Sequence, residues 1–346
     1  MTGTGSSLNV GTILYLGYAG TGTLSVGSGG TVTVGTAMYF GWNGGSGTFY
    51  LNTGGTLNVG GAGGIAAATA PAFYLAGGSL VVTGGNLSTS VPMALSNTTT
   101  INTNGLNATL SGNLTGTSVG LIKTGAGALL LSGSNSYTGT TTVSGGNLQV
   151  GSGGVGSLAG GNTVSINGSG AVLSGTGLVS GPTSVILGQI NPGDSGGTLI
   201  GKLSFGSGLT FAPAATTTVA TLKITGSTAG ANLSSDQIQV SGILTLSSLG
   251  NITITDAGYT PAAGDSFRLL NWGSLVAGDF TAGSNRTGGL GSSDLNLPAL
   301  ATGFGWNVSS FLTNGVISVQ TVPEPGRAGL FIFGWVGVLL RRRRNR

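Results

Sequence analysis

Residues 14–35, LYLGYAGTGTLSVGSGGTVTVG, align with residues 38–60, MYFGWNGGSGTFYLNTGGTLNVG. Gly17 falls on Gly41, an offset of 24. After one inserted residue, Gly29-Gly30 falls on Gly54-Gly55, an offset of 25, and Gly77-Gly78 follows 23 further on. The same Gly-Gly pair heads GGNLST at Gly84 and GGNLQV at Gly145. Each unit holds short alternating runs closed by glycine, such as Val32-Thr33-Val34-Gly35 and Leu57-Asn58-Val59-Gly60. Alternation over four or five residues is a strand signal. Thr and Val suit strands, and Gly takes positive φ at corners without steric cost. A period of 23–25 residues with strands this short predicts one coil of a β-solenoid per repeat, successive coils stacking at ~4.8 Å.

The fold class expected is therefore all-β: a β-solenoid (parallel β-helix) over residues 1–200. Proline placement agrees, because a central strand cannot lose its N–H: there is no Pro between Met1 and Ala70 or between Met93 and Gly181. A row of separate β-sandwiches is the competing architecture, but nothing marks linkers between such domains. Residues 201–321 read as a β-rich capping module. Their alternating runs are longer (TTTVATLKITG, DQIQVSGILTLSSLGNITIT, GVISVQ), and they collect Phe267, Trp272, Phe280, Phe304, Trp306 and Phe311. A terminal coil would otherwise expose a raw edge and an apolar column. Residues 322–346 form a third segment with a short hydrophobic helix.

Charge is scarce, at 5% of residues, and unevenly placed. The tail holds Arg327 and five of the last six residues as arginine, 6 of the 11 basic residues. Residues 1–321 keep 5 basic against 6 acidic residues, a net charge of −1. Such a body lacks the basic footprint of a nucleic-acid binder. With no Cys, disulfides and thiolate metal sites are excluded; with no His, the commonest general base and metal ligand are missing. The string Gly193-Asp194-Ser195-Gly196-Gly197 resembles the surroundings of a serine-protease nucleophile, yet a serine needs a base. It reads instead as a turn opened by Pro192, with local hydrogen bonds from Asp194 and Ser195. The body's carboxylates are Asp194, Asp236, Asp256, Asp265, Asp279 and Asp294. None lies in the best solenoid sequence, and Asp236, Asp265 and Asp279 read as strand-edge and turn residues. A glycosidase would need two carboxylates ~5–10 Å apart. No catalytic, metal or cofactor site is expected.

Residues 120–151, GLIKTGAGALLLSGSNSYTGTTTVSGGNLQVG, resemble the autotransporter-associated β-strand repeat of bacterial passenger domains. The resemblance lies in Lys123 to Gly127, the leucine run Leu129 to Leu131, Ser132 to Gly139 with Asn135 and Tyr137, Thr140 to Val143, and Gly146 to Val150. It implies a β-solenoid in which Asn135 stacks or caps a turn and Tyr137 covers a corner. Residues 152–346 do not read as the ~10-residue alternating strands of an autotransporter's membrane barrel, so the repeat is expected here without that transport unit.

The tail resembles a PEP-CTERM sorting signal. Its motif is Val322, Pro323, Glu324 and Pro325. Its apolar run spans Ala328 to Leu340, with Leu330, Phe331, Ile332, Phe333, Trp335, Val336, Val338 and Leu339 between, and its basic anchor is Arg341, Arg342, Arg343, Arg344 and Arg346. This resemblance implies export, transient anchoring in the inner membrane, and recognition by an exosortase-type membrane processing enzyme. Thirteen residues at 1.5 Å each fall short of a bilayer, which needs ~20, so the run suits a temporary anchor. MTGTGSSLNV has neither a basic nor an apolar leader region, so the true start is expected upstream. The function expected is a non-enzymatic exported surface or extracellular-matrix protein, structural or adhesive, meeting exopolysaccharide or other copies of itself. The alternatives are a polysaccharide-acting β-helix enzyme or an adhesin passenger fragment.

Overall fold

The computed structural model describes residues 1–322 apart from 62, 70, 195–199, 226–234, 257 and 284–293. The tail motif from Pro323 onward, the apolar run and the basic anchor lie outside the described residues; Val322 precedes them, exposed at the surface.

The chain is a parallel β-solenoid with three strands per coil. The first coil is Ser7–Val10, Ile13–Leu16 and Thr21–Val26; the second is Thr31–Val34, Ala37–Phe40 and Ser46–Asn52. Stacking each strand on its counterpart one coil later builds three faces. The first face runs in register from Ser7 beside Thr31, to Thr56, to Ser79, and on to Thr210. The offsets of 24, 25 and 23 are those of the sequence repeat. Later coils vary in length: Leu121 sits beside Thr141, Thr141 beside Val164, Val164 beside Thr183 and Thr183 beside Leu209. The second face begins with Ile13–Leu16 and the third with Thr21–Val26.

Alternation puts every second residue inside. The first face's inner ladder reads Leu8, Val32, Leu57, Leu80, Ile101, Lys123, Val143, Ile166, Val185 and Phe211, one residue per coil. On the second face Leu87, Ala108, Leu129, Leu148, Leu173 and Ile190 do the same. From the second coil onward these residues are buried, and with the third face's inner residues they form one continuous apolar column. Each coil buries its aliphatics only against its neighbours above and below, as expected of a quasi-one-dimensional fold.

The sheets run past residue 200 without a break. Lys202–Phe205, Leu209–Phe211 and Thr217–Ile224 each pair in parallel with the preceding coil. What changes is strand length. Gln237–Thr245 pairs through its first half with Lys202–Phe205 and through its second with Leu209–Phe211, so one strand serves two faces and the corner between them straightens. Leu270–Val276 pairs along it, with a register shift between Val240 and Ile243. The solenoid then meets a small antiparallel sheet of Ser266–Arg268, Val316–Thr321 and Phe304–Asn307. Phe267, Trp306 and Phe311 are fully buried there, and the Trp306 indole N–H donates to Pro298 O at 2.8 Å. Among the described residues the longest α-helix is Phe311–Asn314, and no helix is long and apolar enough to cross a membrane.

Candidate functional site

The motif-bearing coil explains its own residue types. Lys123 occupies an inner-ladder position that is aliphatic in every neighbouring coil. Its stem fills the column while its ammonium donates to Thr124 O (2.9 Å), Gly125 O (2.8 Å) and, one coil on, Gly145 O (3.0 Å). Burial lowers its pKa from 10.5 to about 8. The turn it braces admits only glycine. At Gly127, with φ +88°, an added Cβ would lie 1.8 Å from Leu106 O; at Gly146, with φ +64°, it would lie 2.4 Å from Gly125 O.

Asn135 and Tyr137 alternate inward. The Asn135 amide links three coils: its Oδ1 accepts from Leu114 N (3.0 Å), and its Nδ2 donates to Gly133 O (2.9 Å) and Ser157 O (3.0 Å). Tyr137 does not cover a corner, as the resemblance suggested. It is fully buried, and its hydroxyl donates to Thr141 Oγ1 at 2.7 Å, which donates to Asn162 Oδ1 at 2.9 Å. Burial raises its pKa to about 12. A phenol at an inner position of the alternation has to be inside, and the adjacent threonine supplies the partner that makes this tolerable.

Residues 121–150 match the passenger-associated-transport-repeat family model. No curated protein matches the chain. The match covers the coil whose sequence resembles the passenger repeat, and the buried hydrogen bonds above are what that repeat contributes: intercoil braces.

The carboxylates are also braces. Asp236 stands at the start of the strand Gln237–Thr245, but not exposed. It is fully buried, 2.9 Å from Lys223 Nζ, and accepts from Gly201 N (2.8 Å) and Lys223 N (2.9 Å). Burial pushes its carboxyl above the usual carboxylate range, against the pull of Lys223. Asp194 reaches beyond its own segment. It accepts from Gln149 Nε2 (2.9 Å) and Ser152 Oγ (3.3 Å), more than 40 residues away. Ser195 lies outside the described residues. Asp265 accepts from Ala262 N and the Tyr259 hydroxyl, Asp279 from Ser248, and Asp294 from Thr281. Asp256 ends its strand exposed.

The surface holds a cluster that the sequence reading did not single out. Tyr15 and Tyr39, paired in register on the outside of the second face, stack with ring centroids 5.4 Å apart and planes 16° apart. Tyr18 follows the first of these strands and meets Tyr15 edge-on at 5.3 Å. Trp42, in the turn after the second, lies 5.1 Å from Tyr39 at 64° and 6.1 Å from Tyr15 at 61°. Tyr18 is 52% exposed, Trp42 41% and Tyr15 38%. A second outward stack, Tyr50 on Tyr74 at 4.7 Å and 7°, occupies the third face. The signal was present in LYLGY and MYFGW, which repeat two aromatic positions at an offset of 24. Strand register is what shows that these positions face outward.

Proposed function

We propose that this is a non-enzymatic protein exported to the bacterial surface or extracellular matrix, with a structural or adhesive role. The observation that carries this reading is the passenger-type repeat at residues 121–150, set within a parallel solenoid whose first face is paired coil to coil from Ser7–Val10 to Leu209–Phe211. Its outward ladders are rich in small uncharged residues, such as Ser7, Thr31, Thr56 and Ser79 along the first face. This chemistry suits hydrogen bonding to matrix polysaccharide, the partner favoured here, over binding an ionic ligand. The non-enzymatic reading rests on the lack of His and Cys and on the structural bonds that occupy Asp194, Asp236, Asp265, Asp279 and Asp294. The tail from Val322 to Arg346 is the sorting address: an exosortase-type enzyme reads Val322-Pro323-Glu324-Pro325 while the arginines hold the cytoplasmic side.

Two experiments test this. An antibody raised to the 121–150 coil should label intact producing cells; labelling only after lysis overturns surface display. Replacing Pro323-Glu324-Pro325 by alanines should leave the tail uncut and the mature mass higher by that of the tail. An unchanged mature mass overturns the sorting route.

A further inference from the structure

We propose that Tyr15, Tyr18, Tyr39 and Trp42 form a stacking platform for a neutral polysaccharide chain lying along the second face. This rests on the surface-adhesive reading and goes beyond it by naming the site and the class of glycan.

Exposed aromatic clusters of this kind are unusual, and when contiguous they mark interaction sites. The core does not need these rings: the inner positions of the same strands, Leu14, Leu16, Met38 and Phe40, already face the column. Nor does stacking of coils need them, because the next coil places Ala66 beside Tyr39 and continues the sheet unchanged. The aromatic stack ends there. Beyond Tyr39 that register position holds only a methyl group, and Trp42 stands at 64° to Tyr39 and 61° to Tyr15, a second wall beside the stacked pair. A ring face is electron-rich and attracts the weakly positive C–H edge of another group. The C–H face of a pyranose offers this together with a flat shape, and its hydroxyls need polar partners at the rim.

Such partners lie farther along the same face, in the sheet that begins at Leu87–Thr89. Further along the second face, a shallow depression of about 300 Å³ is lined by Asn86, Ser88, Asn107, Thr109, Leu130 and Gln149. Ser88, Thr109 and Leu130 occupy one outward ladder, a residue per coil; Gln149 continues the register but is buried, its amide donating to Gly151 O and Asp194. An aromatic platform continued by amides and hydroxyls along the solenoid axis suits a long chain better than a compact ligand.

Charge selects the class. The first charged side chain in the sequence is Lys123, so residues 1–122 carry no Asp, Glu, Lys or Arg. Single-stranded nucleic acid also stacks on aromatics, but it requires a basic groove. An anionic polysaccharide likewise lacks a counter-charge here. An uncharged glycan is the occupant for which nothing is missing.

The test is affinity electrophoresis of the full chain in native gels containing soluble neutral polysaccharides (a β-glucan, a mannan, a galactan), alginate as an acidic polymer, or single-stranded DNA. The expected result is retardation by at least one neutral polymer and none by alginate or DNA. Trp42→Ala and Tyr39→Ala should each weaken retention about ten-fold. Trp42→Phe should keep most of it, and Leu187→Ala, at an exposed apolar residue elsewhere, should leave it unchanged. Thermal melts of each variant separate lost binding from lost fold. Neutral-polymer retention unaffected by the folded Trp42→Ala and Tyr39→Ala variants overturns the site and leaves the adhesive reading in place. Retention by none of the neutral polymers, or only by alginate or DNA, overturns the inference, while surface labelling of intact cells still decides the exported reading separately.

Discussion

At the C-terminal end, Trp306 is fully buried beside Phe267, with Phe311 stacked on Phe280 nearby; in the first two coils, Trp42 is 41% exposed beside Tyr39 and Tyr15. The difference follows from which side of the coil each ring faces. Within the coils the inner ladders are mostly aliphatic, with Phe40, Phe49 and Phe73 buried among them, whereas the rings of Tyr15, Tyr39 and Trp42 stand outside the column. Where the solenoid ends, the column needs a lid, and large rings fill it. The same residue class is thus structural where it faces the column, as at Phe40, Phe49 and Trp306, and available for recognition where it faces outward, as at Tyr15 and Trp42.

Trp306→Ala should break the C-terminal half of this contrast. It removes a large buried ring and strands Pro298 O, at a cost of about 3–5 kcal/mol, read as a fall in the urea midpoint. Lys223→Met leaves the Asp236 carboxylate buried without its cation. It should also cost about 3–5 kcal/mol, whereas the uncharged first coils offer no position where one substitution does this. Lys123→Met keeps the aliphatic stem and loses three hydrogen bonds to carbonyls, for about 2 kcal/mol.

The pH dependence sharpens the Lys123 assignment. Its folded pKa of about 8 lies below its ordinary 10.5. Between those values the unfolded chain holds the proton and the folded chain does not, so stability rises with pH across that window. Tyr137 has the opposite sign. Its pKa rises from 10.0 to about 12, so the stability it contributes is present below pH 10 and is lost as pH climbs through about 12. Urea midpoints from pH 7.5 to 11.5 should rise and then fall. Lys123→Met should abolish the rise and Tyr137→Phe the fall; a flat profile for the unsubstituted chain contradicts both. The smallest effect on stability belongs to the surface: Trp42→Ala should change it by less than about 1 kcal/mol.

The solenoid was legible because its period is written twice over in residues 14–60 and its alternation says which residues enter the column. Lys123, Asn135 and Tyr137 were legible as a motif but not as a set of braces, since the carbonyls and hydroxyls they bond lie up to a coil away. Asp236 and Asp194 escaped for the same reason: Lys223 is 13 residues from Asp236, Gln149 is 45 from Asp194, and neither spacing is a pattern. The continuation of the sheets past residue 200 was hidden by the longer strands, which look like a new module until register shows one strand serving two faces. The aromatic platform was hidden by its own repeat, which signals a strand before it signals a surface.

The melting temperatures of Trp42→Ala and Trp306→Ala, measured side by side with the unsubstituted chain, bear on the contrast between the two ends as a whole. Trp42→Ala should melt within about 2 °C of the unsubstituted chain, and Trp306→Ala at least about 5 °C lower. A Trp42→Ala variant that falls as far as Trp306→Ala would mean that the N-terminal rings are part of the core, and the recognition surface assigned to them would not exist.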